Sequence, residues 1–188
     1  VFWPTMPEPN GRGLSRKHLT EQLEQSLRRL RLDYVDIFYC HRYDDETPLE
    51  ETLRVLEDFQ RQGKVLYAGV SEWSAVQIAD ALRWQDLHGW TRLAVDQPHY
   101  NMLAPEIEAD VLPLLGREGI GVVAFSPLAQ GVLTGKYQPA TEPPADSRAG
   151  NADTSRSIRA RYYTEENLNR VERLKGLAAE VGLDLATF

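Results

Sequence analysis

Apolar residues recur at helical spacing at Leu19, Leu23, Leu27 and Leu30, with Ser15 upstream as an N-cap. Residues 34–40 are mostly aromatic and β-branched, which predicts a buried strand. Thr47-Pro48-Leu49-Glu50 has the form of a capping box with proline at the first helical position. Leu49, Leu53, Leu56 and Phe59 then share one face, and Gly63 ends that helix. A second strand is predicted over 65–70, a helix carrying Val76, Ala79 and Leu82 after Ser74, and a third strand over 93–97. A helix over 105–117 leads to a fourth strand over 120–125, and Thr164 caps a last helix over 165–181.

Strand and helix thus alternate four times. That alternation implies parallel pairing, and strands apolar nearly throughout imply a sheet covered on both faces. An open doubly wound sheet and an eight-fold barrel both fit. A glycine-rich dinucleotide fingerprint would favour the open sheet. Here Gly11-Arg12-Gly13 follows no strand, and Gly131 and Gly135 have the wrong spacing. The barrel gains from the carboxyl ends of the strands, where barrel enzymes build their sites. Those ends read His41-Arg42, Ser71-Glu72, Asp96-Gln97-Pro98 and Phe125-Ser126-Pro127.

Charge and cysteine content narrow the function classes. The 188 residues carry 21 basic and 28 acidic side chains, a formal net charge of −7, which argues against nucleic acid or an anionic membrane surface as partner. The longest apolar run, near 121–125, is too short to span a bilayer, so no membrane insertion is expected. Cys40 is the single cysteine, which excludes an internal disulfide and fits a reducing, cytoplasmic compartment. The chain opens on Val1 and stops in a helix-like phrase at 182–188, so an internal fragment of a longer protein is expected.

Several residues could carry chemistry. His41 could protonate or polarise a carbonyl oxygen; the plain alternative is a structural histidine. Ser71 and Gln97 could bond an amide-bearing ligand, or simply satisfy loops. Phe125 offers a ring for stacking, or for the core. The tract 126–136 joins a turn of small residues to Lys136, a combination that would receive a pyrophosphate. Residues 137–163 form a long connection carrying Arg148, Arg156, Arg159 and Arg161, either a clamp over an anionic ligand or a disordered loop. His18, His41, His88 and His99 are too scattered for a metal site, and no nucleophile elbow or phosphate loop occurs. Cys40, inside an apolar strand, reads as packing.

The order of the segments resembles the aldo-keto reductase superfamily. The resemblance runs through Gly13-Leu14-Ser15-Arg16-Lys17-His18, Leu32-Asp33-Tyr34-Val35-Asp36 and His41-Arg42-Tyr43-Asp44. It continues through residues 63–71 and through Gln97-Pro98 with Tyr100-Asn101. The tract 126–137 is the most specific and is similar to the branch that includes voltage-gated potassium-channel β-subunits and their bacterial relatives.

The resemblance implies a (β/α)₈ barrel, of which residues 1–188 would be an incomplete domain truncated at both ends, holding about strands four to seven with helices outside. It implies an NADPH-dependent oxidoreductase reducing aldehydes or ketones, with a homo-oligomeric parent protein left open. The alternative is an NADP(H)-binding, redox-sensing β-subunit of a potassium channel. By resemblance His41 is the active-site histidine, where channel subunits carry asparagine. Ser71 and Gln97 hold the nicotinamide carboxamide, and Phe125 stacks on the nicotinamide ring. Ser126, Pro127, Leu128 and Lys136 contact the pyrophosphate, and Arg148 the adenosine 2′-phosphate. Glu72 takes a cofactor position where the family commonly has asparagine. The family's catalytic tyrosine, aspartate and lysine are expected upstream of Val1.

Overall fold

The computed structural model describes residues 1–5, 7 and 9–188. It divides into two compact units: Val1–Pro98 with Ile107–Val123, and His99–Glu106 with Ala124–Phe188.

The first unit is an α/β layer. In chain order it holds α1 (Arg16–Leu30), β1 (Val35–Cys40), α2 (Leu49–Arg61), β2 (Val65–Val70), α3 (Ala75–His88), β3 (Val95–Asp96), α4 (Val111–Glu118) and β4 (Gly121–Val122). The strands pair in the order β1-β2-β3-β4, all parallel, as strand–helix alternation requires. Leu19 and Leu23 of α1, Leu53, Leu56 and Phe59 of α2, and Ile78 and Leu82 of α3 share one core with Phe38, Cys40, Ala68 and Val70. Residues alternating with these strand positions point away from the helices, and there Ile37 and Tyr67 are exposed.

Local chemistry sets the boundaries. Ser15 caps α1 and Ser74 caps α3, the latter in a full capping box with Gln77. The box expected at Thr47 does not form. Pro48 is the N-cap of α2 and makes no side-chain bond. The Thr47 hydroxyl lies one residue before that cap and donates to the Asp44 carboxylate (2.7 Å). The helix expected over 105–117 becomes a 3₁₀ turn at Glu106–Glu108 followed by α4. Pro113 has no N–H for the carbonyl four residues back, so the helix restarts, with Asp110 accepting from the Val111 amide (2.6 Å). Val76 and Ala79 face solvent, and α3 buries Ile78, Ala81, Leu82 and Gln85 instead. Leu30, at the end of α1, is exposed as well.

The third and fourth strands are shorter than 93–97 and 120–125. Single bonds extend the ladder, from Gln97 N to Val70 O (2.8 Å) and from Val123 N to Asp96 O (3.0 Å). Pro98 then offers no donor and regular pairing stops.

The second unit holds a 3₁₀ segment at Ala129–Thr134, α5 (Ser155–Arg161) and α6 (Glu165–Glu180), capped by Thr164. Its own core contains Val132, Leu133, Tyr137, Ala149, Ile158, Tyr162, Leu168 and Val171. Residues 137–163 are therefore an ordered segment pinned by four buried apolar side chains, with a helix that the sequence pattern did not predict.

Candidate active site

Pairing register places three predicted site residues in one row. Cys40 pairs with Val70, and Val70 with Asp96, so His41, Ser71 and Gln97 each follow a matched position at the carboxyl edge of the sheet. The His41 ring meets the Trp3 ring edge-on at 5.9 Å. Burial and the Arg42 guanidinium hold its pKa below the ordinary value, against the opposing charge of Glu72. His41 is therefore neutral at physiological pH, able to donate one hydrogen bond and accept another. The Ser71 hydroxyl donates to the Gln97 carbonyl (2.7 Å), tying two strand ends together and leaving its oxygen as an acceptor.

The row one residue back is less conventional. Cys40, Val70 and Asp96 are all buried, and neither carboxyl oxygen of Asp96 has a partner of good geometry among the described residues. Burial and the Glu72 carboxylate push the Asp96 pKa up to about 7; the Gln97 amide, already bonded to Val70 O, opposes this only weakly. Asp96 in turn raises the Tyr39 pKa, after burial. Glu72 itself has φ 59°, a left-handed conformation that suits asparagine better than glutamate. Burial pushes the Cys40 thiol up to about 12, so it packs rather than attacks.

Two motifs of the sequence meet at Asp44. The Asp44 carboxylate accepts from the Leu14 amide (2.7 Å) and the Glu46 amide (3.1 Å) as well as from Thr47. A Cβ on Gly13, at φ 78°, would lie 2.3 Å from Asp44 Oδ2, so only glycine fits. Burial would raise the Asp44 pKa, but these bonds and the charge of Arg12 hold it below the ordinary value. A cavity of about 490 Å³ opens here, walled by Phe2, Trp3, Tyr43 and Arg12. A larger groove of about 730 Å³, between Arg16 and Asp58, is lined by charged side chains and touches none of the predicted site residues.

In the second unit, Phe125 pairs with His99 by a parallel bridge and their rings stack at 5.1 Å. Ser126, Ala129 and Gln130, all in the following turn, have positive φ. Pro127 and Leu128 are exposed in that turn. The amides of Ala129, Gly131, Leu133 and Gly135 bond carbonyls within the turn. An anion there would rest more on the Lys136 ammonium than on backbone donors. That ammonium folds back over the turn, 3.4 Å from where a Cβ on Gly131 would stand. Arg148 is exposed, and its carbonyl is fixed by the Thr154 hydroxyl (3.0 Å).

Sequence reasoning named Tyr43, Asp96, His99 and Asn101 without giving any of them a role in the site, and passed over Trp3 and Tyr162. Asp96 had a signal, a lone carboxylate in an apolar strand; Tyr162 had none, because its partners lie some 60 residues away. Among the described residues no three His, Cys, Asp or Glu side chains are grouped to hold a metal, and no helix is long and apolar enough to cross a membrane.

Sequence and fold are shared with known proteins. The chain is 44% identical over 187 residues to the probable voltage-gated potassium channel subunit beta of Arabidopsis thaliana, covering 99% of this chain and 56% of that protein. It is 41% identical over 183 residues to the L-glyceraldehyde 3-phosphate reductase of Escherichia coli O157:H7, covering 96% of this chain and 52% of the relative. The chain thus spans about half the length of the curated relatives it matches. Among solved structures, the glycerol dehydrogenase of Gluconobacter oxydans superposes with a TM-score of 0.73 at 29% identity, over 93% of this chain and 50% of that one. The profile described as the Aldo/keto reductase family matches residues 3–188, and the chain belongs to that family.

Proposed function

We propose that the protein containing this chain is an NADPH-dependent oxidoreductase that reduces aldehydes or ketones to alcohols in the cytoplasm. The row of His41, Ser71 and Gln97 along one sheet edge carries this reading. The four strands are taken as the fourth to seventh of an eight-stranded barrel. His41, its ring against Trp3 and its pKa held below the ordinary value, orients and polarises the substrate carbonyl. Ser71 and Gln97 hold the nicotinamide carboxamide: Ser71 Oγ accepts, and the Gln97 side chain both donates and accepts. Glu72 can accept from the same carboxamide.

The second unit fits the rest of the cofactor. The stacking of His99 on Phe125 and the room Gly131 leaves for the Lys136 ammonium are the observations in favour. Phe125 supports the nicotinamide ring, Ser126, Pro127, Leu128 and Lys136 the pyrophosphate, and Arg148 the 2′-phosphate. When bound, the nicotinamide supplies the hydride. The proton donor is a tyrosine outside residues 1–188, its pKa lowered by a neighbouring lysine and aspartate.

The test is NADPH oxidation by the full-length protein with a generic aldehyde. His41→Asn should lower turnover about a hundredfold while leaving NADPH affinity in place. A second reading, a redox-sensing channel subunit, is favoured by the 44% identity to the Arabidopsis protein. Tight NADPH binding with no aldehyde turnover would select it.

A further inference from the structure

We propose that Tyr162, His99 and Asn101 are positioning residues that latch α5, and with it the arginine-bearing segment 137–163, to the Phe125–Gln130 turn. The inference rests on the roles given above to Phe125 and Arg148. Its consequence is that the nicotinamide end and the 2′-phosphate end of a bound NADPH are held by one connected piece of protein.

The bonds form a closed path. Tyr162, the C-cap of α5, is buried, and its hydroxyl accepts from Asn101 Nδ2 (3.3 Å). That leaves the hydroxyl proton for His99 Nε2. The His99 ring stacks on Phe125 at 5.1 Å with 27° between planes. Asn101 Nδ2 also donates to the Ser126 carbonyl (3.0 Å), and Asn101 Oδ1 accepts from the Leu103 amide (2.9 Å), which fixes the orientation of the carboxamide. A second tie runs from Gln130 Nε2 to Ser157 Oγ (2.9 Å), near the start of α5.

The turn needs such restraint. Ser126, Ala129 and Gln130 have φ of 54°, 47° and 56°, conformations non-glycine residues keep only when their surroundings over-determine them. At the other end of the segment, Arg159 Nε donates to the Ala149 carbonyl (3.1 Å) and Tyr137 accepts from the Ala149 amide (3.3 Å). The residue after Arg148 is thus anchored both to α5 and to Tyr137 at the start of the segment. Ordering one end lowers the cost of ordering the other.

The experiment uses full-length protein. Tyr162→Phe keeps the buried ring and removes only the hydroxyl. The NADPH dissociation constant should rise about tenfold. The emission of bound NADPH at saturation should change, because the Phe125 ring loses its support. Trypsin should cut the cofactor-free variant faster at Arg156, Arg159 or Arg161. His99→Phe, which keeps a ring against Phe125 but lacks the acceptor, should reproduce these effects, and the double variant should add little. If Tyr162→Phe does not fold, His99→Phe carries the test by the same readouts. Unchanged affinity and emission in the variants, even with a lower melting temperature, would overturn the latch while leaving the proposed function intact. Failure of the wild type to bind NADPH would overturn both.

Discussion

Asp96 is the least settled residue of the sheet edge: a buried carboxyl group with no partner of good geometry among the described residues, beside a second carboxylate. Its folded pKa of about 7 lies above its unfolded value, so the folded state holds a proton that the unfolded state has released. Stability should therefore fall as pH rises from the unfolded pKa to about 7, then level off. Asp96→Asn should remove that decline and raise the melting temperature more at pH 8 than at pH 5, by a difference of order a few kcal/mol in stability. Thermal melts at several pH values check it; a parallel shift at every pH would contradict it. Glu72→Asn should act through the same pair. It removes the lesser of the two causes that raise Asp96, after burial, so that the decline ends at a lower pH, and it relieves a left-handed glutamate, gaining up to about 1 kcal/mol. The sequence shows Asp96 and Glu72 at strand ends, but their coupling depends on register across β2 and β3, which no single segment encodes.

Elements were legible where chemistry is local. Ser15, Ser74 and Thr164 cap the helices they precede, because a hydroxyl reaches an amide three residues on whatever the rest of the chain does. Ser74→Ala should cost about 1 kcal/mol, read by denaturant unfolding. Thr47 fails as a cap because the helix begins one residue later, with Pro48 at the N-cap, while the Thr47 hydroxyl is tied to Asp44. Val76 and Ala79 match a helical period yet face solvent, since periodicity identifies an apolar face but not which neighbour covers it. Gly69 shows a close approach that only the assembled sheet explains. A Cβ there would stand 2.7 Å from Val95 and 2.8 Å from the Tyr39 ring. Gly69→Ala should destabilise by about 1–3 kcal/mol through overpacking, and a lower unfolding midpoint would record it.

At the scale of the whole molecule, the sheet has one covered face and one open one. Ile37 and Tyr67 are 39% and 55% exposed on the side away from the helices. Residues 1–188 expressed alone should self-associate and bind a hydrophobic dye, measured by sedimentation and dye fluorescence; a monodisperse, dye-free monomer would contradict this. In the full-length protein, Arg148→Ala should weaken NADPH several-fold more than NADH, because only NADPH carries the 2′-phosphate; equal losses would remove Arg148 from that role. The sequence by itself determined the parallel α/β alternation, the family, and the strand ends bearing His41, Ser71 and Gln97. Each of these is written in local periodicity or in contiguous motifs. Only the tertiary structure decided that 137–163 is an ordered, cored segment, that Asp96 is a buried acid beside Glu72, and that Tyr162 reaches His99 and Asn101. Those outcomes depend on residues far apart in the chain meeting at hydrogen-bond distance, and pattern within a segment carries no information about such meetings.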